Sequence, residues 1–208
     1  MSDGRLLFSH YALMPNRLGY CGGSDSRAML EYCEANQADL GLEDLIKQFQ
    51  AAYPYLQFIA KSNEINNPLD PRVVEAYWVG NPLLDRVDMR DFRGFIAEKF
   101  GPRVSSKALD LLIGKAPVGA RPHHSFHVLD VSMRTGALRE SLEDLDRCRI
   151  SWGQVDRVEG DTVLVSYQPL VFRQGLLTLG DSVERRAFYR MEGKGYLAVP
   201  NPGDCVSL

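Results

Sequence analysis

No apolar run in this chain approaches the ~20 residues that a bilayer-spanning helix requires. The opening residues, Met1-Ser2-Asp3-Gly4, carry neither the basic nor the apolar region of a signal peptide. A membrane partner is therefore not expected, and the cytoplasm is the expected compartment. An excess of positive charge is also missing. The formal net charge is −3 over 208 residues, whereas a nucleic-acid binder normally displays a basic patch, so nucleic acid is not an expected partner. Cysteine is sparse: Cys21, Cys33, Cys148 and Cys205 are scattered, with no Cys-x-x-Cys pair and no zinc-finger spacing. In a cytosolic chain this usage points to reduced thiols rather than disulfides. Any metal site has to be assembled from residues distant in sequence. Gly-x-Ser-x-Gly, P-loop and dinucleotide fingerprints do not occur either, so no motif assigns an enzyme class.

What is present divides in two. Arg5 to Ala12 is apolar and aromatic and reads as a strand or a helical turn, and a Gly-rich loop runs from Pro15 to Asp25. Ser24 or Asp25 is a natural N-cap for a helix over Ser26 to Ala35, in which Met29, Leu30 and Cys33 share a face and Cys33 belongs to the core. Leu42, Leu45, Ile46 and Phe49 mark an amphipathic helix interrupted near Pro54, with a second helix over Tyr55 to Ala60. Asp70-Pro71 opens a helix bearing Val73, Val74, Tyr77 and Trp78, which ends at Gly80. Two more run from Asp88 to Phe100 and from Ser105 or Ser106 to Gly114.

The stretch from Lys115 to Pro122 then reads as a connector, and Pro122 to Val131 as a strand. A short acidic helix is expected over Leu138 to Asp146. After it, two strands meet at Glu159-Gly160-Asp161, and Pro202-Gly203-Asp204 turns into a last strand. The expected fold is α+β, with a helical domain over 1–118 and a mainly β domain over 119–208 built on a small antiparallel barrel.

Two groups of residues could carry chemistry. Cys21 lies between Gly19 and Gly22-Gly23, ahead of a helix whose positive dipole end would lower the thiol pKa, and the glycines permit a ligand to approach the backbone. The same residues also suit a tight turn holding a small side chain. His123, His124 and His127 hold three of the four histidines. On a strand, His123 and His127 would share a face ~13 Å apart, too far to grip one metal ion, so the strand would supply one ligand or one base. A structural role for His127, beside Phe126 and Val128, stands alongside. Cys21 with His124 or His127 is the minimum for nucleophilic catalysis.

Two resemblances add to this. Phe8-Ser9-His10-Tyr11-Ala12, Pro15 to Gly22 and Pro122 to Val128 resemble an uncharacterised bacterial family of unknown function that keeps company with hydrogenase proteins. The order Cys148-x-x-x-x-Gly153-Gln154-Val155, an acidic Gly turn, a Val-rich strand and a later Gly203-Asp204 resembles the HypC-type chaperones of [NiFe]-hydrogenase maturation. That likeness implies an OB-like barrel and a metal-binding role in which Cys148 holds iron carrying cyanide and carbon monoxide. It also implies the hydrogenase large subunit or other maturation proteins as partners. A soft thiolate and an imidazole suit low-valent iron. This chain departs from the pattern in having its cysteine internal, Trp152 in place of a proline, and Leu208 where the strand leading to the family's histidine breaks off. That histidine is lost, is replaced by His123, His124 or His127, or lies beyond Leu208. The expected function is that of an accessory or chaperone protein for hydrogenase maturation, binding a metal fragment or client through cysteine thiolate. A Cys21-nucleophile enzyme and a protein-interaction module with structural cysteines are the alternatives.

Overall fold

Aspartate starts most of the helices. The computed structural model describes residues 3–132, 134, 141–195 and 197–208. Asp3 accepts from the Arg5 amide at the head of α1 (Gly4–Arg17), and Asp25 accepts from Ala28 ahead of α2 (Ser26–Ala35). Asp39, Asp70 and Asp88 do the same for α3 (Leu40–Lys47), α5 (Pro71–Trp78) and α6 (Met89–Phe100), and Ser105 does so for α7 (Ser106–Lys115). Each such side chain satisfies an amide that the first turn leaves without an intrahelical partner. Pro54 does not interrupt a helix; it sits in the first turn of α4 (Tyr53–Ser62), where its missing N–H costs nothing. The segment left open between strand and helix, Arg5 to Ala12, is helical throughout.

These helices enclose an aromatic core. Phe8, Phe49, Tyr55, Tyr77, Trp78 and Phe92 are almost fully buried. Phe8 meets Phe49 and Trp78 edge-on at 5.2 and 5.6 Å, a geometry that favours the ring quadrupoles. Gly4 lets α1 reach α5: a Cβ there would lie 1.9 Å from the Leu69 carbonyl oxygen. Among the described residues no helix is long and apolar enough to cross a membrane.

The stretch read as a strand, Pro122 to Val131, is not one. His123 caps a single turn, α8 (His124–Phe126), by accepting from the Ser125 amide at 3.0 Å, and the chain continues into a π-helical stretch, His127–Ser132. The His127 amide donates back to the His123 carbonyl at 3.1 Å, and the Ser132 hydroxyl to the His127 carbonyl at 3.0 Å. Burial does alternate over residues 122–128, as it would on a strand, because this coil is packed on two sides. Phe126 and Val131 join the main helical core. The acidic helix is α9 (Leu142–Cys148), capped by Ser141. The part of its expected range at Leu138 to Glu140 lies outside the described residues.

The hairpin at Glu159-Gly160-Asp161 forms as expected, joining β1 (Trp152–Glu159) to β2 (Thr162–Tyr167), with Gly160 at φ 61°. The register shifts between Val155 and Arg157, a bulge that increases local twist. After a hairpin of β3 (Leu170–Arg173) and β4 (Leu176–Leu179), β5 (Val183–Phe188) pairs with β2. Next comes the short pair β6 (Arg190–Met191) and β7 (Lys194–Gly195), which contacts α2. The last strand, β8 (Cys205–Ser207), pairs with β1. The main sheet thus runs β5-β2-β1-β8, all antiparallel. It has two edges, so the barrel expected from the sequence does not close among the described residues. The fold is α+β.

A buried ion pair joins α9 to the sheet. Asp146 receives the Arg149 guanidinium at 2.8 Å, the Tyr167 hydroxyl at 2.8 Å and the Leu170 amide at 2.8 Å, while Arg149 also donates to the Gln168 carbonyl at 2.7 Å. Pairing with several hydrogen bonds is what makes two buried charges tolerable.

Candidate functional site

Four elements meet around a cavity of about 60 Å³, whose lining includes Cys21, Tyr77, Trp78, His124, His127 and Cys148. A water-sized probe occupies ~10–15 Å³, so the space admits roughly four to six water-sized groups. The loop after α1 supplies Cys21, α5 supplies Tyr77 and Trp78, the α8 turn and its π continuation supply the histidines, and the end of α9 supplies Cys148.

The Cys21 loop is held from within. Asn16, buried in the last turn of α1, donates from its amide to the carbonyls of Cys21 at 2.8 Å and Gly23 at 2.5 Å. Gly19 and Gly22 adopt φ 74° and 83°, a region that favours glycine, and a Cβ on Gly22 would come 2.5 Å from the Phe49 ring. Gly19, Gly22 and Gly23 therefore shape the loop and do not line the cavity. The helix dipole does not activate the thiol: α2 begins at Ser26, capped by Asp25. Desolvation, with the nearby Cys148 adding to it, pushes the half-buried Cys21 up to about 12. Cys148, buried at the end of α9, is raised to about 12 by desolvation and then by Asp144. Both are thiols at neutral pH.

The helical turn changes the histidine geometry altogether. His124 and His127, three residues apart, lie on one side of the coil with ring centroids 6.0 Å apart, and the Tyr77 hydroxyl sits between them. Tyr77 Oη is 3.2 Å from His124 Nδ1 and 3.0 Å from His127 Nδ1. The other nitrogen of His124, Nε2, is 2.8 Å from the Cys148 carbonyl oxygen. Trp78 lies against His124 at 4.2 Å and Tyr55 stacks on His127 at 5.6 Å. Burial lowers His124 to about 3, with His127 adding to the effect, and lowers His127 to about 4. Both rings are neutral at pH 7. His123 stands apart from this cluster: its Nδ1 caps α8, and its ring lies against Gly80.

The structure thus brings together Cys21, Cys148, His124 and His127, and leaves out His123. Sequence reasoning missed Tyr77 and Trp78 as site residues because they belong to an apolar helical stripe and read as core. A His-x-x-His spacing on a helix was the signal for their role, and it was invisible while the stretch read as a strand. Among the described residues no three His, Cys, Asp or Glu side chains are grouped so as to hold a metal ion. The soft donors that the cavity lining does hold are two thiols, Cys21 and Cys148.

The chain belongs to a family of unknown function (DUF6390), which matches it over residues 1–208. No curated protein and no solved structure matches the chain. The expected membership in a family of unknown function is thereby established, whereas neither a hydrogenase association nor a HypC-type relative emerges from the comparisons.

Proposed function

We propose that this chain is an accessory protein of metal-centre assembly that takes up a soft metal fragment through the thiolates of Cys21 and Cys148. One observation carries the reading: two cysteines far apart in sequence line the same small cavity, beside two neutral imidazoles. The thiolate is the metal ligand, so uptake releases the protons that the folded chain keeps on both sulfurs, and affinity rises with pH. Two protein sulfurs suit a cargo that brings other ligands of its own, such as iron carrying cyanide and carbon monoxide. The finer reading is a HypC/OB-like C-terminal unit serving [NiFe]-hydrogenase maturation, with the hydrogenase large subunit as client. The order of Cys148, Gly153, Gln154 and Val155 supports it, together with the antiparallel pairing of β1 with β2 and β8. Infrared spectroscopy tests the proposal on protein purified anaerobically from cells expressing the maturation machinery. Cyanide and carbon monoxide bands are expected, and they should vanish in Cys148→Ala. Absence of bands, together with no co-purifying hydrogenase subunit, refutes it.

A second reading makes Cys21 a nucleophile with a cavity histidine as base. It is favoured by their shared cavity and disfavoured by the raised Cys21 pKa. Alkylation rates of Cys21 across pH decide it: a thiol that stays inert at neutral pH counts against the enzyme.

A further inference from the structure

The loop that carries Cys21 is tied to the helix that carries Cys148. Tyr20, the residue before Cys21, donates its hydroxyl to Asp144 Oδ1 at 2.7 Å and packs against the apolar cluster that contains Leu145 and Cys148. Asp144 and Cys148 stand four residues apart in α9, so they lie one turn apart on the same helix face. From the other side Asn16 holds the loop, donating to the Cys21 carbonyl at 2.8 Å. The ion pair of Asp146 with Arg149 anchors the end of α9. Both thiols line the one small cavity, where the charge on Cys148 is felt at Cys21. The other two cysteines sit elsewhere, Cys33 in the main helical core and Cys205 exposed on β8.

We infer that Cys21 and Cys148 are a redox pair, which a small peroxide closes into a reversible disulfide across the cavity. Cys21 is half-buried and Cys148 buried, so Cys21 meets the oxidant first. With hydrogen peroxide, the Cys21 sulfur bonds to one oxygen and the O–O bond breaks. Cys21 becomes a sulfenic acid, and the other oxygen leaves as water with the thiol proton. The Cys148 sulfur then attacks the Cys21 sulfur, the S–O bond breaks, and the hydroxyl leaves as a second water with the Cys148 proton. Two electrons have passed from the thiol pair to one peroxide. The oxidant has two heavy atoms and fits a space that admits roughly four to six water-sized groups. A disulfide forms only within a narrow range of backbone separation, and the Tyr20 link to α9 limits how far the two backbones can part. With both sulfurs used, metal uptake is left to the reduced chain; that consequence rests on the proposed function, whereas the disulfide does not.

Peptide mass spectrometry on the full chain tests the pairing. Reduced, folded protein is treated with hydrogen peroxide, alkylated in denaturant and digested. The expected product is a Cys21 peptide joined to a Cys148 peptide and released by dithiothreitol, with Cys33 alkylated as an unlinked thiol. In Cys148→Ser no second thiol resolves the sulfenic acid, so dimedone should trap it at Cys21; in the wild-type chain that adduct should be about tenfold scarcer. A Cys21 that stays a free thiol after Cys205 is fully oxidised overturns the pair, as does its oxidation to sulfinic acid without a link. Linkage of Cys21 to Cys33 or Cys205, or a link to Cys148 that forms only in urea, overturns it too. So does a dimedone adduct equally abundant in the two proteins. No metal enters this assay. If the link forms while reduced protein carries no cyanide or carbon monoxide bands, the metal-uptake proposal fails and the redox pair stands.

Discussion

Acid should loosen this protein well above the pH at which its carboxylates titrate. The perturbation is a shift from about pH 8 to about pH 5, and the responsible groups are His124 and His127. In the unfolded chain both have the ordinary value of 6.5, whereas in the folded chain burial holds them at about 3 and about 4. Between these limits the unfolded state binds more protons than the folded state. Stability is therefore fully present above roughly pH 6.5 and is lost as pH falls toward 4. Integrating the proton difference to about pH 5 gives a loss of about 2 kcal/mol for each ring. The two together remove about 4 kcal/mol, a large part of the 5–15 kcal/mol typical of a domain. His10 and His123, also lowered by burial, add loss of the same sign. Asp3, Asp39, Asp70 and Glu159, whose values are lowered by hydrogen bonds and ion pairing, act only below the ordinary carboxylate range and leave this window untouched. Urea unfolding followed by circular dichroism at the two pH values measures the difference. His127→Gln should recover about 2 kcal/mol, the share of its own ring. A wild-type chain that is as stable at about pH 5 as at about pH 8 would refute the burial argument.

The remaining predictions concern the thiols, the junction and an orphan hydroxyl. With a disulfide reagent at about pH 7.5, the exposed Cys205 should react first, and Cys21, Cys33 and Cys148, all raised to about 12 by desolvation, should lag at least tenfold. Fast labelling of Cys21 or Cys148, read by peptide mass spectrometry, contradicts that environment. The same three thiols set an alkaline limit. The unfolded chain ionises them near 9 and the folded chain does not, so stability should fall as pH rises above 9. Asp146→Ala leaves the buried Arg149 unpaired and should cost about 3–5 kcal/mol in denaturant unfolding; a loss under ~1 kcal/mol would show that the α9–sheet junction does not depend on the pair. The Tyr55 hydroxyl is buried with no hydrogen-bond partner among the described residues, so Tyr55→Phe should raise stability by about 1 kcal/mol, and a clear loss would reveal a hidden partner.

Much of the fold is legible in the sequence because the helix ends are written in residues with one physical meaning. Asp25, Asp70-Pro71, Asp88 and Ser105 start helices where capping chemistry says they should, and Gly80 and Gly101 stand where helices end. The Gly160 turn and the Gly203-Asp204 entry to β8 are equally plain. Pro122 to Val131 is where reading by pattern failed. Its helical turn is capped by a histidine, a weaker signal than Ser or Asp, and its π-helical continuation has neither the period of an α-helix nor that of a strand. The site inherited that failure. Cys21, Cys148 and the histidines could be named as reactive types, but their convergence depends on tertiary packing. Tyr77, which links the two rings, looks like any core aromatic until His124 and His127 are placed one turn apart. The Cys21 pKa is raised where the sequence predicts lowering, because proximity to a helix in sequence does not put a thiol at its amides.

The central claim is that Cys21 and Cys148 together hold a soft metal fragment, and X-ray absorption at the iron edge tests it most directly. Anaerobically purified protein carrying iron should show two sulfur neighbours at the ~2.3 Å typical of a metal–thiolate bond, falling to one in Cys21→Ser and in Cys148→Ser. Iron surrounded only by oxygen and nitrogen, or a sulfur count unchanged by both substitutions, would contradict the account.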